Sequence, residues 1–220
     1  MSLSLSPDST VAQIANTLPG AAEIFRRHGI SFCCGGKASL SEAANQAGLP
    51  LADLTASLQG LIDAAAQDAP EETGALIDHI LTRYHETHRT ELEWLIPLAQ
   101  RVEMVHGDHE EAPLGLAEAL IALAEDLDDH MVKEERVLFP MMKSGGNPMI
   151  VHPIAMMRQE HDDTAALLRR IEHVSHGLNL PEGACGSWTA LYTGLAKLTG
   201  DVVRHMHLEN DILFPRFEAA

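Results

Sequence analysis

The sequence HMVKEERVLFP at residues 130–140 returns as HMHLENDILFP at residues 205–215. Both copies fit the pattern H-M-x-x-E-x-x-x-L-F-P, so each histidine is followed four residues later by a glutamate. On an α-helix, residues four apart lie on one face, about 6 Å apart along the axis. Each copy therefore directs an imidazole and a carboxylate the same way, and such a pair can hold one metal ion between two side chains.

The repetition extends upstream of both copies. His85 precedes His130 by nearly the same distance as His161 precedes His205, and glycine and proline near the two midpoints, at 107 and 181–183, mark turns. The pattern predicts two helix-turn-helix units that fold back into an antiparallel bundle. Six side chains then meet at one level of that bundle: His85, His130, Glu134, His161, His205 and Glu209.

The composition of this set indicates the metal. Structural zinc sites favour four ligands, often thiolates, whereas imidazoles and carboxylates on four facing helices are typical of dinuclear iron or manganese sites bridged by carboxylates. We favour di-iron, with two imidazoles for each ion and both glutamates bridging. The alternative is that these histidines are only solvated or satisfied in the core. One His-x-x-x-Glu pair would favour that alternative, but two matched copies favour the metal centre.

Several motifs together resemble a known family. They are CCGG at 33–36, RYH at 83–85, HMVKE at 130–134, EHD at 160–162 and LEN at 208–210. Residues 74–217 resemble a hemerythrin-like domain, and the whole chain resembles the repair-of-iron-centres proteins of the bacterial response to nitric oxide and peroxide. The resemblance implies two non-haem, carboxylate-bridged irons on the same six residues. It also implies damaged iron-sulfur proteins as partners, and nitric oxide or oxygen species as small ligands.

One position departs from the oxygen-carrying hemerythrins. Those proteins resemble this chain in their bundle but carry a fifth histidine one turn after the third-helix histidine. The corresponding residue here is Ala165. With two imidazoles for each iron, more positions stay open to small ligands or to exchange, which favours reactive chemistry or iron release over reversible oxygen storage.

Composition limits the other classes of function. The 220 residues are 45% hydrophobic, enough for one large and one small domain, and the net charge of −17 disfavours nucleic acid and anionic membranes as partners. No apolar run reaches the length of a membrane span, and the first ten residues lack the features of an export signal. Three cysteines form no disulfide framework. We expect a cytoplasmic protein, and we allow for a homodimer.

Helical periodicity predicts an all-α protein with two domains. Residues 1–66 read as a small domain of short helices that carries the CCGG motif, and residues 74–220 as a hemerythrin-like four-helix bundle. Polar residues and Pro70 interrupt the periodicity between them. The four long helices are predicted at 74–105, 114–139, 150–176 and 186–214. Pro140 and Pro215 are expected to end the second and fourth helices.

The adjacent cysteines Cys33 and Cys34 form the second chemical motif. Adjacent cysteines do not have the spacing of a zinc-binding C-x-x-C, and the glycines after them leave the backbone open to approach by another group. The family resemblance favours a reactive or metal-handling pair that assists transfer, whereas the residues alone favour inert cysteines at a turn. Cys185 lies in the turn before the fourth helix and is predicted to be incidental.

Other polar residues are candidates for further ligands or for hydrogen-bond partners of the ligands. His88 shares the inward stripe of His85 and is predicted to line the site or a channel. Asp126 and Asp201 each precede a candidate ligand by four residues, so they either accept the second imidazole N–H or belong to a solvated acidic face. The remaining histidines are predicted to lie at the surface or at helix ends: His79, His106, His109, His152, His173, His176 and His207.

Two functions follow from these observations. In the first, the protein is a di-iron factor that repairs iron-sulfur clusters damaged by nitrosative or oxidative stress, by donating iron or reacting with nitric oxide. In the second, it binds or senses oxygen or nitric oxide without turnover. Ala165 and the Cys33-Cys34 pair favour the first. The sequence leaves open whether the activity is enzymatic.

Overall fold

The chain is described by a computed structural model over residues 5–32, 37–67 and 70–218, with the side chains of 63–67 left out. It divides into two compact units, Met1–Ala69 and Pro70–Ala220. Helices make up both units and no strand occurs in the described ranges, so the predicted all-α class is confirmed. Cys33 and Cys34 lie outside the described residues, and the expectations placed on them stay predictions.

The described residues of the first unit form three short helices and one longer helix. They are α1 (Val11–Thr17), α2 (Ala21–Arg27), α3 (Leu40–Gln46) and α4 (Leu51–Gln67). Thr10 caps α1 through its hydroxyl, and Ser39 with Glu42 forms a capping box on α3, so both helix starts are fixed by local hydrogen bonds. Their apolar faces share one buried core, which includes Val11, Ile14, Leu18, Phe25, Leu40, Leu54 and Leu58.

The second unit is the predicted antiparallel four-helix bundle. Its helices are α5 (73–106), α6 (116–143), α7 (Val151–Val174) and α8 (186–213), followed by a short α9 (Pro215–Glu218). Helix α5 packs on α6, α6 on α7, and α8 on both α5 and α7. The two hairpin turns fall where glycine and proline predicted them. No described helix is both long and apolar enough to cross a membrane.

Apolar stripes hold the bundle together on one side of the polar level. In α5, Leu92, Leu95, Ala99 and Val102 recur at helical spacing and are buried against stripes from the other three helices. Trp188 is the largest side chain of this core and is 1% exposed. Because apolar packing fills this part of the bundle, the helices hold fixed positions where the polar side chains meet.

Three of the four bundle helices widen into π turns. These turns are Leu81–His85 in α5, Glu134–Leu138 in α6 and Leu208–Leu213 in α8, and each contains a candidate ligand. Such turns are uncommon and often occur at functional sites. The repeat did not predict them, because it reports residue spacing and not the hydrogen-bond pattern.

The π turn of α6 accompanies a correction to one predicted helix end. Helix α6 does not end at Pro140 but continues to Lys143. The Phe139 N–H bonds back to the Glu134 carbonyl across the wide turn, and Pro140 then occupies the first turn of a new α segment, where its missing N–H costs nothing. The fourth helix does end before its proline: α8 ends at Leu213, and Pro215 begins the separate short helix α9.

Residues 70–220 expressed alone should fold and keep the helical bundle. Glu72 caps α5 by accepting the N–H groups of Gly74 and Ala75, and Arg216 donates to the Glu71 carbonyl, so a fragment starting at 70 keeps both ends of the unit tied. The check is a cooperative urea transition followed by circular dichroism, with the full chain as control. A fragment that lacks a cooperative transition would contradict the predicted independence of the domain.

Candidate metal centre

Four imidazoles and two carboxylates from the four bundle helices converge in the interior. All six side chains are buried, at most 4% exposed: His85, His130, Glu134, His161, His205 and Glu209. They form two overlapping groups of four residues, and in each group one nitrogen or oxygen atom from every residue lies within 4.8 Å of those from the others. We call these the first position (His85 and His205) and the second position (His130 and His161). Glu134 and Glu209 belong to both.

In each position the two imidazoles face one another through their Nε2 atoms. These atoms are 3.2 Å apart between His85 and His205, and 3.1 Å apart between His130 and His161. At most one nitrogen of such a pair can carry a proton toward the other. When both are unprotonated there, two lone pairs point to a common place, which suits a shared cation.

Glu209 spans both positions. Its Oε1 lies 3.0 Å from His205 Nε2, and its Oε2 lies 3.1 Å from His161 Nε2. The two oxygens of one carboxylate therefore each face a different position. This is the disposition a bridging carboxylate needs.

Glu134 also faces both positions but lacks donors. Its Oε2 is 3.4 Å from the Nε2 atoms of His85 and His130, and neither of its oxygens accepts a hydrogen bond from the described residues. A buried carboxylate without partners is costly, whereas cation coordination supplies the missing interaction. The donor set therefore fits a metal, and imidazole with carboxylate suits iron.

The pKa values of the two glutamates are shifted in opposite directions. Burial and the neighbouring Glu209 carboxylate raise the pKa of Glu134 well above its usual range. Burial alone would raise the pKa of Glu209 too, but the imidazoles of His205 and His161 lower it well below its usual range. Two adjacent buried carboxylates thus disfavour a second negative charge, and a bound cation would offset that charge.

Three of the four imidazoles have a hydrogen-bond partner at Nδ1, the ring nitrogen that is not turned to the facing imidazole. Glu135 Oε1 lies 2.8 Å from His85 Nδ1, Glu160 Oε2 lies 3.0 Å from His130 Nδ1, and Asn210 Oδ1 lies 2.9 Å from His161 Nδ1. An Nδ1–H donated to an outer acceptor leaves the Nε2 lone pair free for a metal. Sequence reasoning missed these acceptors. The signal was present, because Glu135 and Asn210 each directly follow a candidate ligand.

The acceptors expected from the sequence are engaged elsewhere. Asp126 accepts the Thr164 hydroxyl at 2.6 Å, and Asp201 accepts both terminal nitrogens of Arg83 at 2.9 Å. The suggestion that they hold ligand histidines is therefore wrong. A residue four before a histidine lies on the same helix face, but the Nδ1 atoms point sideways toward neighbouring helices.

The surroundings of His207 and of Cys185 differ from those expected. His207 was expected at the surface but is buried, with Nδ1 2.8 Å from Asp211 Oδ2. Residues 205–209 of α8 are all buried, so this stretch of the helix has no exposed face. At the opposite end of the bundle, Cys185, which was predicted to be incidental, has its Sγ 3.1 Å from Nε2 of His106, whose ring lies beside that of Trp188.

Fold and site together define a four-helix bundle with a buried histidine-glutamate cluster that could hold metal ions. The family model of the hemerythrin HHE cation binding domain matches residues 76–217, and that of a domain of unknown function (DUF542) matches residues 7–62. Both lie within the units described above.

Relatives match along nearly the whole chain. A probable iron-sulfur cluster repair protein of Haemophilus influenzae is 40% identical over 94% of this chain and 95% of its own length. The iron-sulfur cluster repair proteins YtfE of Pectobacterium carotovorum and Cronobacter sakazakii are 41% and 42% identical, over 95% of this chain and 96% of theirs. The chain therefore belongs to the hemerythrin HHE family and, along its length, to the family of iron-sulfur cluster repair proteins, which confirms the resemblance.

The metal-free protein should lose stability as the pH falls below about 6.5. Burial, helped by a facing imidazole, lowers the pKa of His85 and of His130 to about 4, and burial with His205 lowers that of His88 to about 2. Between these values and about 6.5 the unfolded chain binds protons that the folded chain does not, so acid favours unfolding. Each such histidine contributes a slope of about 1.4 kcal/mol per pH unit.

Urea unfolding of the metal-free protein between about pH 7 and 4 measures this slope. His88→Leu should reduce it by about one proton, because that imidazole no longer titrates on unfolding. The exposed His152→Gln serves as the matched control and should leave the slope unchanged. A His88→Leu slope equal to that of the wild type would contradict the burial argument.

Proposed function

We propose that the protein is a di-iron factor that repairs iron-sulfur clusters damaged by nitrosative or oxidative stress. Two non-haem irons would be held by His85 and His205 in the first position and by His130 and His161 in the second. Glu134 and Glu209 would bridge them. Repair would proceed by donation of iron, by reaction with nitric oxide, or by both.

One observation supports this proposal most strongly. Glu134 and Glu209 are buried in a bundle of the hemerythrin HHE family, and each contacts one histidine of the first position and one of the second. The relatives that match over nearly the whole chain are named for cluster repair, so damaged iron-sulfur proteins are the proposed clients. The reducing cytoplasm, where such clients and free thiols persist, is the proposed place of action.

Bound iron would supply redox chemistry and open positions for small ligands. The chain's own residues decide how firmly it is held. Two imidazoles and two shared carboxylates face each position, and the residue one turn after His161 is Ala165, which adds no ligand. The bundle excludes bulk water, because the six side chains are buried. Cys33 and Cys34 are proposed to assist iron transfer.

The competing function is reversible binding or sensing of oxygen or nitric oxide. Both functions use the same six residues, so they differ in what happens to the iron. A repair factor must give it up, whereas a carrier or sensor must keep it. Iron retention therefore separates them.

Purified protein should carry two irons per chain. Glu134→Ala or Glu209→Ala should lower the occupancy and the magnetic coupling between the irons, because each removes a bridge. Metal analysis with Mössbauer spectroscopy measures both quantities, and the exposed Glu182→Ala is the matched control. Protein that takes up zinc alone from cells supplied with iron would count against the di-iron assignment.

The reduced protein should pass iron to an apo iron-sulfur protein, while the oxidised protein retains it, because ferrous iron binds oxygen ligands less strongly. Ala165→His should slow the transfer, since a further imidazole would lie one helical turn from His161. Cluster recovery by absorbance and iron retention under a chelator are the measurements. Equal retention in both oxidation states, unaffected by Ala165→His, would favour the gas-binding function.

A further inference from the structure

The sequence repeat gives each residue around the centre a counterpart in the other half of the bundle. Helix α5 corresponds to α7 and α6 to α8, so His85 is the counterpart of His161, and His130 that of His205. With symmetric surroundings, both positions would bind an ion with equal affinity. Departures from the symmetry indicate which position would bind its ion less tightly.

At the second position both imidazoles are held from behind. His130 Nδ1 lies 3.0 Å from Glu160 Oε2, and His161 Nδ1 lies 2.9 Å from Asn210 Oδ1. Lys133 Nζ donates to the other oxygen of Glu160 at 2.7 Å, so this acceptor is itself fixed. Both rings therefore have a set orientation and tautomer, with Nε2 turned to the ion.

At the first position only one imidazole is held in this way. Glu135 binds His85, but the Nδ1 atom of His205 is buried and has no hydrogen-bond partner among the described residues. The counterpart of Glu160 here is Tyr84. Its ring stacks on His205 with 5.8 Å between centroids and 13° between planes, so it covers the face of the imidazole and offers its Nδ1 no acceptor.

The other neighbours of His205 do not replace the missing acceptor. His88, the counterpart of Thr164, is 0% exposed, its ring centroid lies 5.4 Å from that of His205, and neither of its nitrogens has a hydrogen-bond partner in the described part of the chain. Asp201, four residues before His205, is engaged by Arg83. The first position therefore contains an imidazole whose Nδ1 side is fixed by packing and by no hydrogen bond from the described residues.

Outer acceptors fix the tautomer of a ligating imidazole and raise its basicity, and loss of one typically costs 10- to 100-fold in metal affinity. We propose that the two positions are inequivalent, that the first position holds its ion about 10- to 100-fold more weakly than the second, and that iron leaves from it first. This inference rests on the proposed function, because it assigns the donated iron to one of the two positions.

Two matched variants measure the positions one at a time. His205→Ala removes an imidazole from the first position and leaves the second complete, whereas His161→Ala does the reverse. Metal-free protein is titrated anaerobically with cobalt(II) in competition with a chelator. His205→Ala should bind its single ion about 10- to 100-fold more tightly than His161→Ala. Repulsion between two bound ions does not enter, because each variant keeps one position.

A second pair of variants removes the other imidazole of each position. It replaces the first pair if one of those variants fails to fold. His85→Ala should bind cobalt(II) more tightly than His130→Ala, and circular dichroism checks the fold of each. Equal affinities within a folded pair, or the reverse order, overturn the proposal and leave the di-metal centre standing. Wild-type protein that binds neither cobalt(II) nor iron overturns the proposed function instead.

The cause is tested without removing a further imidazole. Asn210→Leu, added to His205→Ala, deletes the acceptor behind His161 and should lower the affinity toward that of His161→Ala. Tyr84→Phe, added to His161→Ala, keeps the stacked ring and should leave the affinity unchanged. An unchanged affinity in the Asn210→Leu protein overturns the assignment of the difference to the outer acceptors.

Discussion

The burial of Glu134 and Glu209 side by side is the constraint on which the rest of the second unit depends. Two carboxylates removed from water repel one another, and each needs a donor or a cation. The imidazoles of His161 and His205 contact Glu209, and a bound metal ion would supply the interaction that Glu134 lacks. The apolar core beneath, with Trp188 and the leucine stripes, keeps four helices close enough for six side chains to reach one place.

Two of the wide turns in the bundle contain neighbouring residues with different roles. Glu134 points to the centre while Glu135 binds His85, and Glu209 points inward while Asn210 binds His161. Three helices carry such a turn and α7 does not. The centre is thus built from a sequence repeat whose two halves have diverged in their surroundings more than in their ligands.

Much of the fold and of the site was predictable because it depends on spacing. The H-M-x-x-E repeat and the turn residues between matched histidines gave the bundle, its hairpins and the six converging residues. The features that the sequence did not reveal depend on where side chains point and on the local hydrogen-bond pattern of the helices. The Nδ1 acceptors come from neighbouring helices, so Asp126 and Asp201 were the wrong candidates, and Pro140 did not end its helix because a π turn precedes it. Such contacts are fixed only when the helices pack against one another.

The central claim is that two metal ions lie between Glu134 and Glu209. Crystals of iron-loaded protein, measured on both sides of the iron absorption edge, test it most directly. The account predicts two anomalous peaks bridged by these carboxylates, one bound by His85 and His205 and the other by His130 and His161. A single peak, or iron bound elsewhere in the chain with this centre empty, would contradict it.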